Sequence, residues 1–201
     1  MSGNLLVMNF IEITGQPCSG KSTSINMSKS DDMTKFLKDD LYRKIFYFFL
    51  GIKFLGIQRS RVLFNWSFVE DASFIFKLNI FLNAVSKFGI FRTLETSSPD
   101  KAKRFLVDEG VSHIPFLFLK TETREVINFI SSELQTINVY FMRSPRQDVI
   151  QSRLLSRGHK RLKFTLLSTF MSKTHEIEKV LLSQYPSLCK EFTVIEDVAS
   201  I

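Results

Sequence analysis

A loop able to bind phosphate groups is the clearest chemical signal in the chain. Residues 15–23 read GQPCSGKST and fit G-x-x-x-x-G-K-[ST] at every constrained position, between an apolar segment and a potential helix. Glycine at Gly15 and Gly20 lets the backbone turn its N–H groups toward an anion. The helix that follows would point its positive N-terminal end at the same anion. These features predict a site for a nucleoside triphosphate.

Two side chains of this loop have specific predicted roles. Lys21 would place a positive charge near the β- and γ-phosphates. The Ser22 hydroxyl would be one ligand of Mg²⁺, which prefers hard oxygen ligands. The nucleotide, expected to be ATP, would contact a continuous set of residues: Gly15, Gln16, Pro17, Cys18, Ser19, Gly20, Lys21, Ser22 and Thr23.

An acidic pair, Asp108-Glu109, follows a short apolar segment in the middle of the chain. The carboxyl end of a strand is where a phosphate-loop protein needs a further oxygen ligand for Mg²⁺, so Asp108 is predicted to bind the metal directly or through water. Glu109 is the candidate base that accepts a proton from an acceptor hydroxyl or a water. His113 could approach the same place. The alternative is a solvated acidic turn after an edge strand.

Basic residues cluster toward the end of the chain: Arg143, Arg146, Arg153, Arg157, His159, Lys160 and Arg161. Arg153 and Arg157 are four apart on a predicted helix that ends at Gly158, so they share one face. Guanidinium groups that close over a transferring phosphoryl group stabilise its charge and exclude water. We expect these two arginines to do so and residues 157–165 to form a lid. The alternative is a solvated helix end, where the dipole also favours cations.

Apolar segments that alternate with helical patterns indicate the fold. Residues 5–14, 104–107, 137–142 and 192–195 predict strands. A helix is expected to begin at Ser144 with a capping box, and a long helix is expected to end before Pro186. Strands and helices that alternate along the chain after a phosphate loop predict an α/β fold, a three-layer sandwich with a parallel sheet. Ligands should lie beyond the carboxyl ends of its strands.

Residues 31–97 are rich in Phe and have a helical pattern with no convincing strand. We expect a helical insertion that holds the acceptor, because this region is not needed to bind the triphosphate. Its charged side chains are more typical of the surface than of a site: Arg59, Arg61, Glu70, Asp71 and Arg92. Residues 43–61 are basic at both ends and aromatic between, a pattern that would allow peripheral membrane contact and access to a lipid-linked acceptor. Packing of these aromatic residues in the core is the favoured alternative.

Composition limits the number of domains, the expected partners and the expected location of the protein. A chain of 201 residues predicts one domain spanning 1–201, and the net charge of +7 is typical of a protein with anionic ligands. The sequence has no basic stripe with interleaved aromatics, so nucleic acid is not an expected partner. Two distant cysteines indicate a reducing compartment, and the longest apolar run, residues 45–57, is too short to span a bilayer. A cytoplasmic protein is therefore expected.

The phosphate loop, the Asp108-Glu109 pair and the arginine-bearing helix and lid together resemble the small-molecule kinase branch of P-loop proteins. Thymidylate kinase and the deoxynucleoside kinases are the most similar. The resemblance implies an Mg²⁺-ATP-dependent phosphotransferase in which Lys21 and Ser22 bind phosphates and Mg²⁺, and Arg153 and Arg157 clamp phosphates. Those enzymes typically carry an acidic residue followed by arginine where this chain has Asp108-Glu109-Gly110. The acceptor stays open between a nucleoside or nucleotide and a sugar or polysaccharide precursor.

Three other functions remain open. A P-loop NTPase with a switch or scaffold role would order its loops on nucleotide binding without an acceptor. A sulfotransferase would use a 3′-phosphoadenosine donor, although the complete G-K-S-T ending argues against it. A polynucleotide kinase would need a basic groove leading to Asp108. No base-reading motif decides between ATP and GTP, and nothing in the sequence settles the oligomeric state.

Overall fold

One parallel sheet of five strands is the framework of the fold. The structure is a computed structural model and describes residues 10–21, 33–35, 41–97 and 104–196. The strands are β1 (Phe10–Gly15), β2 (Met33–Lys35), β3 (Arg104–Asp108), β4 (Asn138–Met142) and β5 (Glu191–Ile195). Their order across the sheet is β2-β3-β1-β4-β5, and every neighbouring pair is parallel.

The central strand, β1, brings three strand ends to one edge of the sheet. Ile13 lies opposite Asp108 of β3, and Gly15 lies opposite Met142 of β4. Ile11 and Ile13 are buried, as expected for a parallel strand with both faces covered. The register therefore places the start of the phosphate loop beside the end of β3.

Helices and a large apolar core cover the sheet. The helices are α1 (Leu41–Val69), α2 (Phe74–Ser97), α3 (Thr123–Leu134), α4 (Gln147–Ser156) and α5 (Leu167–Leu188), with short 3₁₀ helices at Val111–Leu117 and Lys160–Lys163. Phe88, Ile127, Phe141 and Leu181, from four different elements, are fully buried in one cluster. Burying each such side chain contributes about 1.5–3 kcal/mol. The predicted three-layer α/β fold with a parallel sheet and a Phe-rich helical insertion is confirmed.

The insertion is a pair of long helices whose backbones approach closely. A Cβ at Gly51 of α1 would collide with the Val85 carbonyl oxygen, and one at Gly89 of α2 would collide with the Tyr47 carbonyl oxygen. Gly56 interrupts α1 with a φ of +69°, so the helix changes direction there. Two glycines thus permit the helix contact, and a third makes the bend.

Substitution of Gly89 should reveal this contact. Gly89→Ala is expected to lower the free energy of unfolding by about 1–3 kcal/mol because the added methyl group overlaps the α1 backbone. Alanine is more favourable than glycine in a helix by about 1 kcal/mol, so helix propensity alone predicts that Gly89→Ala stabilises the protein. Urea unfolding measures the difference, with Asn65→Ala at an exposed position of α1 as the control. A stabilised Gly89→Ala variant would contradict the close packing.

Three sequence-based expectations about local structure are wrong. Met33–Lys35 is a strand inside the region expected to be helical. Three residues are too few to show the apolar–polar alternation of a strand, and this strand is defined by its pairing with β3. Helix α4 begins at Gln147 with Arg146 as its N-cap, and the Ser144 N–H that a capping box would pair with Gln147 donates to Glu178 instead. Helix α5 continues through Pro186 to Leu188.

One helix has the length and composition to cross a membrane. Among the described residues, this segment is Phe74–Thr96 of α2, and half of it is buried inside the fold. A core helix of a soluble protein passes the same test. The cytoplasmic location stays a prediction.

Candidate functional site

The phosphate-loop segment leaves β1 at Gly15 and has the backbone geometry of a tight loop. Gly15 and Gly20 have positive φ angles of +146° and +99°, and Cys18 has a φ of +66°. A Cβ at Gly15 would collide with the Met142 carbonyl oxygen of the neighbouring strand. The Ser19 N–H donates to the Gln16 carbonyl oxygen over 3.2 Å and closes a turn. Glycine is therefore required at Gly15 by both conformation and space.

Lys21 folds back beneath this loop. Its Nζ donates to the Gly15 and Gln16 carbonyl oxygens over 3.0 and 2.7 Å and lies 3.2 Å from Oε1 of Glu109. The side chain is buried, so the ammonium group is held by three oxygens. Two predicted nucleotide-binding residues, Ser22 and Thr23, lie outside the described residues. Ser22 is also the predicted metal ligand.

The predicted acidic pair forms the turn that leaves β3. Asp108 is half-buried at the end of the strand, and Glu109 has a left-handed φ of +57°. Such a conformation costs a non-glycine residue about 1–3 kcal/mol. The Glu109 N–H donates to the Ile13 carbonyl oxygen over 3.0 Å, and Lys87 Nζ donates to the Glu109 carbonyl oxygen. These bonds hold the strained residue where its carboxylate reaches Lys21.

His113 supports the Glu109 carboxylate from the other side. Its Nε2 lies 3.6 Å from Oε2 of Glu109, and its Nδ1 lies 3.3 Å from Oγ1 of Thr14. The ring is buried and packs against Phe116. The structure therefore brings Lys21, Glu109 and His113 together, as the sequence suggested.

Glu12 positions the turn from inside the fold. Its buried carboxylate accepts the N–H groups of Val111 and Ser112 over 3.0 and 2.7 Å, at the start of the first 3₁₀ helix. Burial raises the pKa of Glu12, while these donors act to lower the same pKa. Gly110 is needed because a Cβ would collide with the Glu12 carboxylate.

Glu178 of α5, which was not among the predicted site residues, anchors the phosphate loop. Its Oε2 accepts Nε2 of Gln16 over 2.7 Å, and its Oε1 accepts the Ser144 N–H over 2.9 Å. One buried carboxylate thus connects the loop to the segment after β4. No local pattern marks Glu178, because Gln16 is 162 residues away.

The two predicted arginines occupy different positions. Nη1 of Arg153 donates to the Cys18 carbonyl oxygen over 3.2 Å, so α4 contacts the phosphate loop. Arg157 is exposed at the end of α4, where Gly158 leaves the helix with a φ of +59°. Arg153 is beside the loop, whereas Arg157 lies at the rim of an adjoining cavity.

The cavity has a volume of about 490 Å³ and lies between the phosphate loop, α2 and residues 157–161; we call it the acceptor cavity after the role proposed for it below. Glu109 and Arg157 contribute charge to its wall. Phe76, Asn79 and Asn83 of α2 supply a ring and two amides, and they were not among the predicted site residues. Asn79 and Asn83 are four apart, so they share one face of the helix, which was the available signal.

The segment predicted to be a lid is anchored at Arg161. Nη1 of Arg161 lies 3.2 Å from Oε2 of Glu70, and Nη2 donates to the Leu117 carbonyl oxygen. Both side chains are buried, so the surface position expected for Glu70 is wrong. Burial raises the pKa of Glu70 and lowers that of Arg161, and their mutual attraction opposes both shifts.

Other charged residues of the insertion are accounted for by structural contacts. Arg59 lies 2.8 Å from Oε1 of Glu133 and packs over the Phe129 ring. Arg61 is exposed, Asp71 pairs with Lys120, and Arg92 pairs with Glu95. The exposed members agree with the expected surface positions, whereas Arg59 joins α1 to α3.

Loss of Arg161 should destabilise the fold strongly. Arg161→Met would leave the Glu70 carboxylate buried without its cation, which typically costs about 3–5 kcal/mol of unfolding free energy. Urea unfolding of this variant is compared with that of Glu70→Leu/Arg161→Met, which removes both charges and should lose less. Arg146→Met breaks an exposed pair with Asp148 and should leave the midpoint unchanged. Equal losses in the single and double variants would contradict a buried-charge effect.

The acidic turn after β3 could supply a carboxylate ligand for Mg²⁺. Mg²⁺ is usually held by one or two carboxylates together with substrate phosphates and water rather than by a full protein cage. Asp108 supplies such a carboxylate at the end of β3, next to the Glu109 carboxylate that pairs with Lys21. In the described part of the chain, no group of three His, Cys, Asp or Glu residues could hold a metal ion alone. Asp108 would fit a metal ion that also takes phosphate and water oxygens as ligands.

Comparison with known proteins supports the fold. No protein-family profile and no curated protein sequence matches the chain. A solved structure of deoxyadenosine kinase from M. mycoides with bound dATP is similar, with a TM-score of 0.51 and 15% sequence identity over 93% of this chain and 90% of that one. At this identity the likeness is one of fold. The chain therefore has a P-loop, deoxynucleoside kinase-like fold.

Proposed function

We propose that the protein is an Mg²⁺- and ATP-dependent kinase that phosphorylates a nucleoside. The observation that carries this proposal is the contact between Lys21 and Glu109, because the Glu109 side of this pair lines the acceptor cavity. A phosphate-binding lysine and a candidate base are thus adjacent to a space of about 490 Å³, a size typical of small-molecule sites. The deoxynucleoside kinase-like fold supports a nucleoside over a sugar precursor.

The charged side chains have complementary roles in the proposed reaction. Lys21 and the loop N–H groups bind the β- and γ-phosphates, and Arg153 and Arg157 stabilise the charge that spreads over the transferred group. Ser22 and Asp108 would hold Mg²⁺, which neutralises charge on the phosphate oxygens when bound.

Glu109 changes partners in this proposal. Its carboxylate pairs with Lys21 in the structure. A triphosphate that binds Lys21 offers the ammonium group a stronger anionic partner, so Glu109 can turn to the acceptor. There it accepts the hydroxyl proton, while His113 restricts the orientation of its other oxygen.

The wall of the cavity favours a planar acceptor with polar edges. Asn79 and Asn83 offer both donors and acceptors from successive turns of α2, and Phe76 offers a ring. A nucleobase can stack on a ring and bond to amides at once.

Ligand-induced thermal shifts followed by a coupled ADP-release assay test the proposal. We expect an Mg²⁺-dependent rise in melting temperature with ATP, and ADP release that increases on addition of a nucleoside. Asn79→Leu/Asn83→Leu should retain the ATP shift and lose the stimulation by nucleoside, whereas Asn65→Leu should retain both. A shift only with 3′-phosphoadenosine 5′-phosphate would indicate a sulfotransferase. ATP hydrolysis unaffected by every nucleoside would indicate an NTPase instead.

A further inference from the structure

Helix α1 exposes apolar side chains on the face that points away from the core. Tyr42, Ile45, Phe46 and Phe49 are 81%, 47%, 56% and 65% exposed. Their spacing of three and four residues places them on one side of the helix. The helix buries Tyr47 and Leu55 on another side, against the core. Both sides are thus apolar, although the outer side of a surface helix in a soluble protein is usually polar.

The exposed apolar surface continues around the insertion as a chain of touching rings. Phe49 contacts Phe48, Phe48 contacts Phe81, and Phe81 contacts Phe64, with centroid separations of 5.6, 5.9 and 5.4 Å. The chain continues through Phe68 to Phe74, with separations of 4.3 and 5.7 Å. Ile75, beside Phe74, is 79% exposed. We call the exposed members of this surface the outer apolar face: Tyr42, Ile45, Phe46, Phe49, Phe64, Phe74 and Ile75.

Basic side chains accompany the outer apolar face. Arg43, Lys44, Lys53 and Arg61 are exposed on α1, and Lys53 follows Phe49 by one helical turn. Acidic side chains do not offset them within residues 41–82. Glu70 is buried against Arg161, and Asp71 pairs with Lys120. The surface is therefore both apolar and positively charged.

We infer that the outer apolar face docks on the surface of an anionic lipid bilayer. Rings and aliphatic side chains would enter the boundary between headgroups and acyl chains, and the lysines and arginines would contact anionic headgroups. A two-fold contact with a second copy fits less well, because it would bring the same uncompensated cations together. The inference does not depend on the proposed kinase activity.

The inner side of the same helix pair faces the acceptor cavity. Asn79 and Asn83 line that cavity and also a second one, of about 270 Å³, whose wall includes Lys44, Ile45 and Phe48. The second cavity therefore extends from the acceptor side to the outer apolar face. Docking would place the rim of this second cavity at the bilayer.

Flotation of the full chain with lipid vesicles tests the inference. We expect the protein to float with phosphatidylcholine vesicles that contain phosphatidylserine, and to float less as salt is increased. Phe46→Glu/Phe49→Glu should reduce binding by about tenfold or more, because two exposed rings no longer enter the bilayer. Lys53→Gln/Arg61→Gln should reduce vesicle binding by about fivefold for each positive charge that is removed.

The control is Leu155→Glu/Leu166→Glu, which adds the same two charges at exposed apolar positions outside the face. It should bind vesicles as the unmodified chain does, and circular dichroism establishes that each variant is folded. Failure of the unmodified chain to float with anionic vesicles would overturn the inference. So would equal loss of binding in the control. A dimer in light scattering that Phe46→Glu/Phe49→Glu dissociates, without vesicle binding, would assign the face to a second copy.

Discussion

Lys21→Met is expected to reduce phosphoryl transfer by about 10²–10³-fold or more while the protein stays folded. The ammonium group is the buried cation beneath the loop and is held 3.2 Å from Glu109. A charge fixed where negative charge develops stabilises the transition state, and methionine keeps the length of the side chain without that charge. The loss should appear in kcat, with a reduced thermal shift by ATP as an independent sign of weaker phosphate binding.

Lys173→Met is the matched control for this substitution. Lys173 lies on the surface of α5, where it pairs with Glu176 over 3.0 Å. Its loss should leave turnover and the ATP shift unchanged. Turnover by Lys21→Met equal to that of Lys173→Met would contradict the proposed phosphate site.

Glu109→Gln is expected to reduce turnover by about 10²–10⁴-fold without weakening ATP binding. The amide keeps the shape of the side chain but cannot accept the acceptor proton as a carboxylate does. Because a carboxylate on the exit turn of β3 faces both Lys21 and the cavity, its loss should act on the chemical step. Steady-state kinetics should show a lower kcat with little change in the KM for ATP.

A structural role of Glu109 would give a different result. If the carboxylate only neutralised Lys21, then Glu109→Gln would change the melting temperature and ATP affinity rather than kcat. Glu122→Gln, at an exposed position before α3 where the side chain makes no capping bond, controls for loss of one carboxylate. Unaltered kcat in Glu109→Gln would remove this residue from the proposed mechanism.

The phosphate-loop geometry could be predicted because it depends on local backbone requirements. Gly15 and Gly20 adopt positive φ angles, and Lys21 follows them directly along the chain. The strands at the centre of the sheet were also predictable, since strands buried on both faces require apolar runs. Asp108 and Glu109 were identified on the same basis, because the end of such a run becomes the edge of the sheet. Their binding and catalytic roles remain predictions.

Contacts between distant segments could not be predicted in this way. Glu178 reaches Gln16 across 162 residues, and the buried pair of Arg161 and Glu70 spans 91 residues. The three-residue strand β2 exists through its pairing with β3, so its own residues carry no period. In each case the partner supplies the hydrogen bonds or the opposite charge that defines the role of the residue.

The sequence by itself determined a phosphate-binding loop, a parallel α/β framework and the acidic turn beside the loop, because glycine conformation and apolar periodicity act over a few neighbouring residues. Only the tertiary structure decided that Asn79 and Asn83 line a cavity, that Glu70 is buried and that Phe46 and Phe49 face outward. In helices α1 and α2, apolar residues occur on more than one side, so the sequence pattern does not define which face is buried. Packing against their neighbours therefore selects which side chains enter the core, line the cavity or remain exposed.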